Sequence, residues 1–179
     1  MNYEDDKPNS YCGIFGIYGS ETASAQAYYG LHALQHRGQE ASGIVTRSFI
    51  GDNRAHFNIV KGEGLVSEVF ADHNLLTEQL FGNSAIGHNR YSTTGSAKSR
   101  KNIQPFMVNY RMGNLAIGHN GNLTNAKELR EELVNEGAIF QTTSDTEVIL
   151  HLIARSKLDN QIDQIMEALK RIEGAYCVV

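Results

Sequence analysis

The sequence predicts an α+β fold, with short strands through the first two thirds of the chain and helices in the last third. Three observations support this reading. Apolar runs of strand length alternate with Gly, Asn and Asp turn signals from Gly13 to Gly121. Beyond Asn125, the apolar residues recur at helical spacing. The 179 residues are 41% hydrophobic, one domain's worth of chain with enough apolar mass for a sizeable core. The formal net charge of −4 comes without charged blocks, which removes any electrostatic case for nucleic acid. No window approaches the ~20 apolar residues of a membrane span. The leader carries Glu4, Asp5 and Asp6 and no apolar stretch, unlike a secretory signal, so a cytoplasmic protein is expected.

Taken in order, "GIFGIYG" (Gly13 to Gly19) reads as a short buried strand. "ASAQAYYGLHALQ" (Ala23 to Gln35) is a helix with Ala27, Leu31 and Leu34 on one face, stopped by Gly38. "SGIVTRSF" and "AHFNIVKG" are paired strands joined by "IGDNR". "GLVSEVF" and "NLLTEQLF" are short helical pieces. "SAIGHNRYS", "QPFMVNY" and "NLAIGHNG" are strands, the last two joined at "RMGN". Two helices then open with capping-box spacing, Asn125 with Glu128 and Ser144 with Glu147. "NQIDQIMEALKRIEG" places Ile162, Ile165, Met166, Leu169 and Ile172 on one face. "AYCVV" begins a wholly apolar strand expected inside a sheet, so the chain is expected to continue beyond it.

Two cysteines, Cys12 and Cys177, make no disulfide framework and no zinc pattern. Cys177 is expected in the core. His32 and His36 stand one helical turn apart without a third ligand nearby, which reads as an exposed helix face, and no metal site is expected.

Four segments set polar residues beside small ones at element ends: "CGIFG", "GHNRYSTTG", "HNGN" and "TSDTE". Asn120-Gly121 reads first as a tight turn; equally, a side-chain amide and a glycine N–H are two donors able to hold an oxyanion. Arg90 is a surface strand arginine or a fork for a substrate carboxylate. Asp145 is an acid favoured at a helix start, or the acceptor for a substrate ammonium. An Arg and an Asp across one pocket would select an α-amino acid.

"LQHRGQEASGI" (Leu34 to Ile44), "GHNRYSTTG" (Gly87 to Gly95), "IGHNGNLTNA" (Ile117 to Ala126) and "TSDTEVI" (Thr143 to Ile149), in this order after Cys-Gly-Ile, resemble the class II glutamine amidotransferase domains, which are N-terminal-nucleophile hydrolases. Within that class "HRGQEASG" and "HNRYSTTG" most resemble the amidophosphoribosyltransferases rather than the sugar-isomerising aminotransferases. The resemblance runs from Cys12 to the last residue. It implies a four-layer αββα sandwich, incomplete at its C-terminal side. Residues 1–11 would be a propeptide and 12–179 the amidotransferase domain, with Cys12 as nucleophile. Asn120 and Gly121 would form the oxyanion hole, and Arg90, Tyr91, Thr94 and Asp145 the glutamine pocket. Arg37 would brace the nucleophile strand. Freed by cleavage, the Cys12 α-amine, with a pKa near 7.7–8.0, would serve as its own base.

The resemblance further implies a downstream phosphoribosyltransferase domain that uses the ammonia to make phosphoribosylamine from phosphoribosyl pyrophosphate, at the start of purine synthesis. Mg²⁺ and a 4Fe–4S cluster, where present, would have ligands in that part, and the complete enzyme would be a homo-oligomer. The alternatives are a different acceptor domain, as in hexosamine-phosphate or glutamate synthases, and an unprocessed, non-catalytic domain of the same fold. "NLT" at Asn122 is a glycosylation pattern without an export signal.

Overall fold

A computed structural model describes residues 12–50, 54–91 and 100–179. The expected propeptide and Thr94 lie outside these residues. Among them the chain forms the four-layer αββα arrangement.

The first sheet has the order β1–β4–β2–β3 and is antiparallel throughout, from β1 (Gly13–Tyr18), β2 (Ala41–Ile50), β3 (Arg54–Glu63) and β4 (Ser84–Arg90). Its register aligns Gly13 with Asn89 and Ala41 with Arg90, so the start of β1 lies beside the end of β4. β2 is paired on both edges, and its Ser42, Ile44, Val45 and Thr46 are all buried. Helix α1 (Ala23–Ala33) lies on this sheet, with Ala23, Ala27 and Leu31 completely buried. The helix ends sooner than its periodicity suggests. From Gln35 to Arg37 the chain tightens into a 3-10 turn, and the Gln35 Oε1 accepts the Val66 N–H at the start of α2 (Val66–Val69). "NLLTEQ" forms a π-turn over Leu75–Gln79.

The second β-layer, third in the stack, is made of two antiparallel pairs. β5 (Phe106–Tyr110) pairs with β6 (Gly113–Ile117), and β7 (His119–Leu123) with β8 (Gly174–Val178), all antiparallel. What reads in sequence as one strand, "NLAIGHNG", is thus two, because the chain changes partner at Gly118. That residue exchanges two 2.9 Å backbone hydrogen bonds with Val179. Helices α3 (Ala126–Asn135), α4 (Thr146–Arg155) and α5 (Gln161–Leu169) form the fourth layer.

There are two apolar clusters, one on each outer face. Ala27, Leu31, Ile44, Val66, Phe70 and Leu80 fill the space between α1, α2 and the first sheet. Leu123, Leu129, Leu133, Val148, Ile149 and Ile153 fill that between the second β-layer and α3–α5. Between the sheets the chain uses glycines and two buried histidines: a Cβ on Gly118 would lie 4.0 Å from the Gly87 carbonyl and from Ile14.

Several expectations are corrected. Asn125 and Glu128 do not form a capping box. The Asn125 side chain instead donates to the Arg171 carbonyl (2.8 Å) and accepts the Glu173 N–H (3.0 Å), tying the start of α3 to the lead-in of β8. Ser144 Oγ does accept the Thr146 N–H, but Glu147 turns to the Gln141 and Thr142 N–H groups (2.8 Å each). On α5, Ile162 and Met166 are exposed while Gln164 and Ala168 are buried, because Gln164 finds partners in the Tyr110 hydroxyl and the Leu158 carbonyl. Cys177 is exposed, not in the core: Tyr176 and Val178 turn to the helical face, and strand alternation puts Cys177 on the other.

Candidate active site

Cys12 immediately precedes β1, half-buried, and its carbonyl accepts the Arg37 Nε–H at 3.1 Å. The thiol points to the main chain just past β4, with Sγ 3.8 Å from the Tyr91 carbonyl. This juxtaposition follows from the register that sets Gly13 against Asn89. Gly38, closing "QHRG", makes it possible for Arg37 to arrive there: a Cβ would stand 2.8 Å from the carbonyl carbons of Asn89 and Arg90, where only a glycine fits. Burial pushes the Cys12 thiol up; the bond to Tyr91 and the charges of Arg90 and Arg37 pull down, Asp145 adds to the rise, and the balance is upward. Cys12, Arg37, Arg90 and Asp145 therefore share one electrostatic neighbourhood although they span most of the chain. The Tyr91 side chain is 44% exposed.

Asn120 and Gly121 lie inside β7, opposite Cys177 and Tyr176, and not in a turn. Gly121 has φ +151°, and a Cβ there would come within 2.3 Å of the Ala175 carbonyl, so the approach of β8 requires glycine. The Asn120 Oδ1 is buried without a hydrogen-bond partner among the described residues. A polar group left so in a native fold points to an unfilled role.

Asp145 is the N-cap residue of α4, yet its carboxylate does not cap the helix. It reaches back to β7, where Oδ2 accepts the Leu123 N–H at 3.1 Å and Oδ1 lies 3.4 Å from His119 Nδ1. Burial pushes this carboxyl up, but the His119 contact, with the N–H groups of Leu123 and Thr146, outweighs it and leaves the group below its ordinary value. The segment leading to Asp145 is pinned from both flanking helices. Arg130 donates to the Thr142 and Ser144 carbonyls (3.1 and 2.8 Å), and the Glu147 carboxylate holds residues 141 and 142.

Two residues of this network escaped the sequence reading, His88 and His119. The signal was present as a repeated triplet, Gly-His-Asn, at 87–89 and again at 118–120. The two triplets meet across the sheets, with His88 Nε2 3.1 Å from the His119 carbonyl. His88 is fully enclosed, and burial lowers its pKa to about 3. Asn89, the counterpart of Asn120, is committed to structure: it donates to the Leu31 carbonyl (2.7 Å) and accepts the Ser42 hydroxyl (3.0 Å).

Among the described residues, no three His, Cys, Asp or Glu side chains gather as a metal-ligand set. The two cysteines are also too few for an iron–sulfur cluster held by four thiolates. No step is assigned to either group. No helix among the described residues is long and apolar enough to cross a membrane.

Comparison with known proteins gives a consistent set of relatives. Residues 88–179 match the family described as "Glutamine amidotransferase domain". The chain is 50% identical to "Amidophosphoribosyltransferase 2, chloroplastic" of Arabidopsis thaliana over 98% of its own length and 30% of that protein's. It is 45% identical over its whole length to "Amidophosphoribosyltransferase" of Lacticaseibacillus casei, covering 89% of that sequence. Among solved structures, the "structure of the allosteric regulatory enzyme of purine biosynthesis" superposes with a TM-score of 0.84 at 45% identity, over 92% of this chain and 34% of that one. The chain thus spans about a third of the plant relative and of the solved structure it matches.

Proposed function

Because the chain belongs to the glutamine amidotransferase family, in its amidophosphoribosyltransferase branch, we propose that it hydrolyses L-glutamine at Cys12 and delivers the ammonia to a phosphoribosyltransferase domain. The single observation that carries this reading is the Cys12 thiol at the mouth of β1, 3.8 Å from the Tyr91 carbonyl just past β4 and within the electrostatic reach of Arg90 and Asp145.

In this mechanism residues 1–11 are removed and the α-amine of Cys12 takes the thiol proton. A thiol pushed up by burial needs such a base. The thiolate attacks the side-chain amide carbon of glutamine, and the oxyanion that forms is held by the Asn120 amide and the Gly121 N–H. The intermediate collapses with transfer of the proton to the leaving nitrogen, releasing ammonia. Water then hydrolyses the glutamyl thioester to glutamate and regenerates the thiol. Arg90 binds the substrate carboxylate and Asp145 its ammonium; Tyr91 and Thr94 complete the pocket. Arg37, on the Cys12 carbonyl, keeps the nucleophile in line.

The acceptor reaction, formation of phosphoribosylamine from phosphoribosyl pyrophosphate in purine synthesis, belongs to the same proposal, and the names of the relatives support it. So do a homo-oligomeric assembly and a cytoplasmic location, the latter supported by two free cysteines.

The decisive experiment places one extra residue ahead of Cys12 in the processed, complete enzyme. The Cys12 nitrogen then becomes an amide that cannot accept a proton near neutral pH. Glutamine-dependent turnover should fall to background, while turnover with free ammonia stays at the level of the parent. Undiminished use of glutamine by the extended enzyme would overturn the reading.

A further inference from the structure

The carboxylate that receives the substrate's ammonium is held by a residue that itself touches no substrate. His119 is 2% exposed, and its ring lies between β7 and the start of α4. Nδ1 is 3.0 Å from Thr146 Oγ1 and 3.4 Å from Asp145 Oδ1. An ionised carboxylate only accepts, so we assign the ring proton to Nδ1, where it faces both oxygens. Nε2 then presents a bare lone pair, and it is buried without a partner among the described residues. A proton there would instead leave an N–H without an acceptor.

The main chain of the same residue is fixed independently. Gln104 Oε1 accepts the His119 N–H at 2.8 Å, and the His119 carbonyl accepts from Gln104 Nε2 (3.3 Å) and lies 3.1 Å from His88 Nε2. The ring is thus a strut with its base clamped to two other elements and its tip on Asp145. With Leu123 N–H on Oδ2 and His119 against Oδ1, the carboxylate is held from β7 at both oxygens. We propose that His119 is a positioning residue whose Nδ1–H sets the orientation of the Asp145 carboxylate for the α-ammonium of glutamine, an inference that rests on the reading of Asp145 given above.

The test compares His119→Ala, His119→Asn and His119→Gln in the processed enzyme. An Asn side chain carries its amide nitrogen near the place of Nδ1, and a Gln side chain nearer that of Nε2. The Ala and Gln variants should raise KM for L-glutamine about tenfold with kcat within about threefold of the parent, the pattern of a lost ground-state contact. The Asn variant should recover most of that loss. Calorimetric Kd values for L-glutamine in a Cys12→Ala background should follow the same order. With glutaramate, which lacks the α-ammonium, all three variants should match the parent.

Rescue by Gln equal to that by Asn, or a tenfold loss that persists with glutaramate, would reduce His119 to packing and overturn the proposal. Should Ala fail to fold, the Asn–Gln contrast decides alone, since both keep polar bulk at the site. Asp145→Ala separates the two levels. If it leaves KM unchanged, the reading of Asp145 falls and this inference with it. If it raises KM while the His119 variants do not, only the inference falls.

Discussion

Asn120 and Arg90 are assigned to the same substrate in the proposed mechanism, but their contributions should separate kinetically. The Asn120 amide is assigned to an oxygen that becomes charged only in the transition state. Asn120→Ala should therefore lower kcat by about 10²–10³-fold and leave KM nearly unchanged. Arg90 is assigned to a carboxylate that is equally charged before and during reaction, so Arg90→Ala should chiefly raise KM. Steady-state kinetics on the processed enzyme with glutamine check both; a variant of Asn120 that binds weakly but turns over normally would reverse the roles. At this scale the sequence was informative wherever chemistry demanded one residue type. Cys12 before "GIFG", Arg90 after "GHN" and Asp145 in "TSDTE" stand out in the sequence as candidates, and the structure puts all three in one electrostatic neighbourhood. His119 was not legible, because a buried histidine looks the same in sequence whether it packs or orients a neighbour. Cys177 was misread because apolarity indicates burial without saying which strand face has a neighbour.

Strands β4 and β7 are joined across the layers by the imidazole of His88, and that link carries a pH dependence. Burial holds His88 neutral in the folded protein down to about pH 3, whereas in the unfolded chain it titrates near 6.5. Between those values the unfolded chain binds one more proton than the folded one. The stabilising contribution is thus complete above about pH 6.5 and is lost progressively as the pH falls toward 3. The slope is about 1.4 kcal/mol per pH unit for one such group. His151, also lowered by burial, acts in the same direction. His88→Gln keeps a donor for the His119 carbonyl but cannot titrate. Urea unfolding of parent and variant between about pH 6 and pH 4.5 should show a shallower dependence in the variant; equal slopes would mean that His88 titrates alike in both states. Elements were legible where period and turn chemistry agreed, as in α1, β2 and β3. The division of β6 from β7 was hidden, because it depends on the partner strand, and no residue near Gly118 announces a change of partner. The face of α5 was misjudged for a related reason: Gln164 is buried only because Tyr110 and Leu158 supply its hydrogen bonds.

At the scale of the whole molecule, each sheet packs its own apolar cluster against its helices, and the two sheets meet at glycines and the buried His88–His119 contact. Neither periodicity nor composition reveals this stacking; the four-layer order was legible only through the resemblance carried by the motifs. Its consequence concerns how the enzyme fails. Cys12, Arg37 and Arg90 ride on one half, and Asn120, Gly121, His119 and Asp145 on the other. The proposed catalytic centre is therefore a joint between two bodies, and its tolerance to heat would be that of the joint. Slippage of the sheets by a fraction of an ångström would leave both clusters intact and the pocket out of alignment. On slow heating, glutaminase activity should disappear several degrees below the loss of helical circular dichroism, and glutamine, which in the proposed mechanism touches both halves, should narrow the gap. Coincident curves would mean that the layers melt as one unit. A substrate that bolts the two halves together makes occupancy itself a source of endurance, so the enzyme would be most fragile when glutamine is scarce.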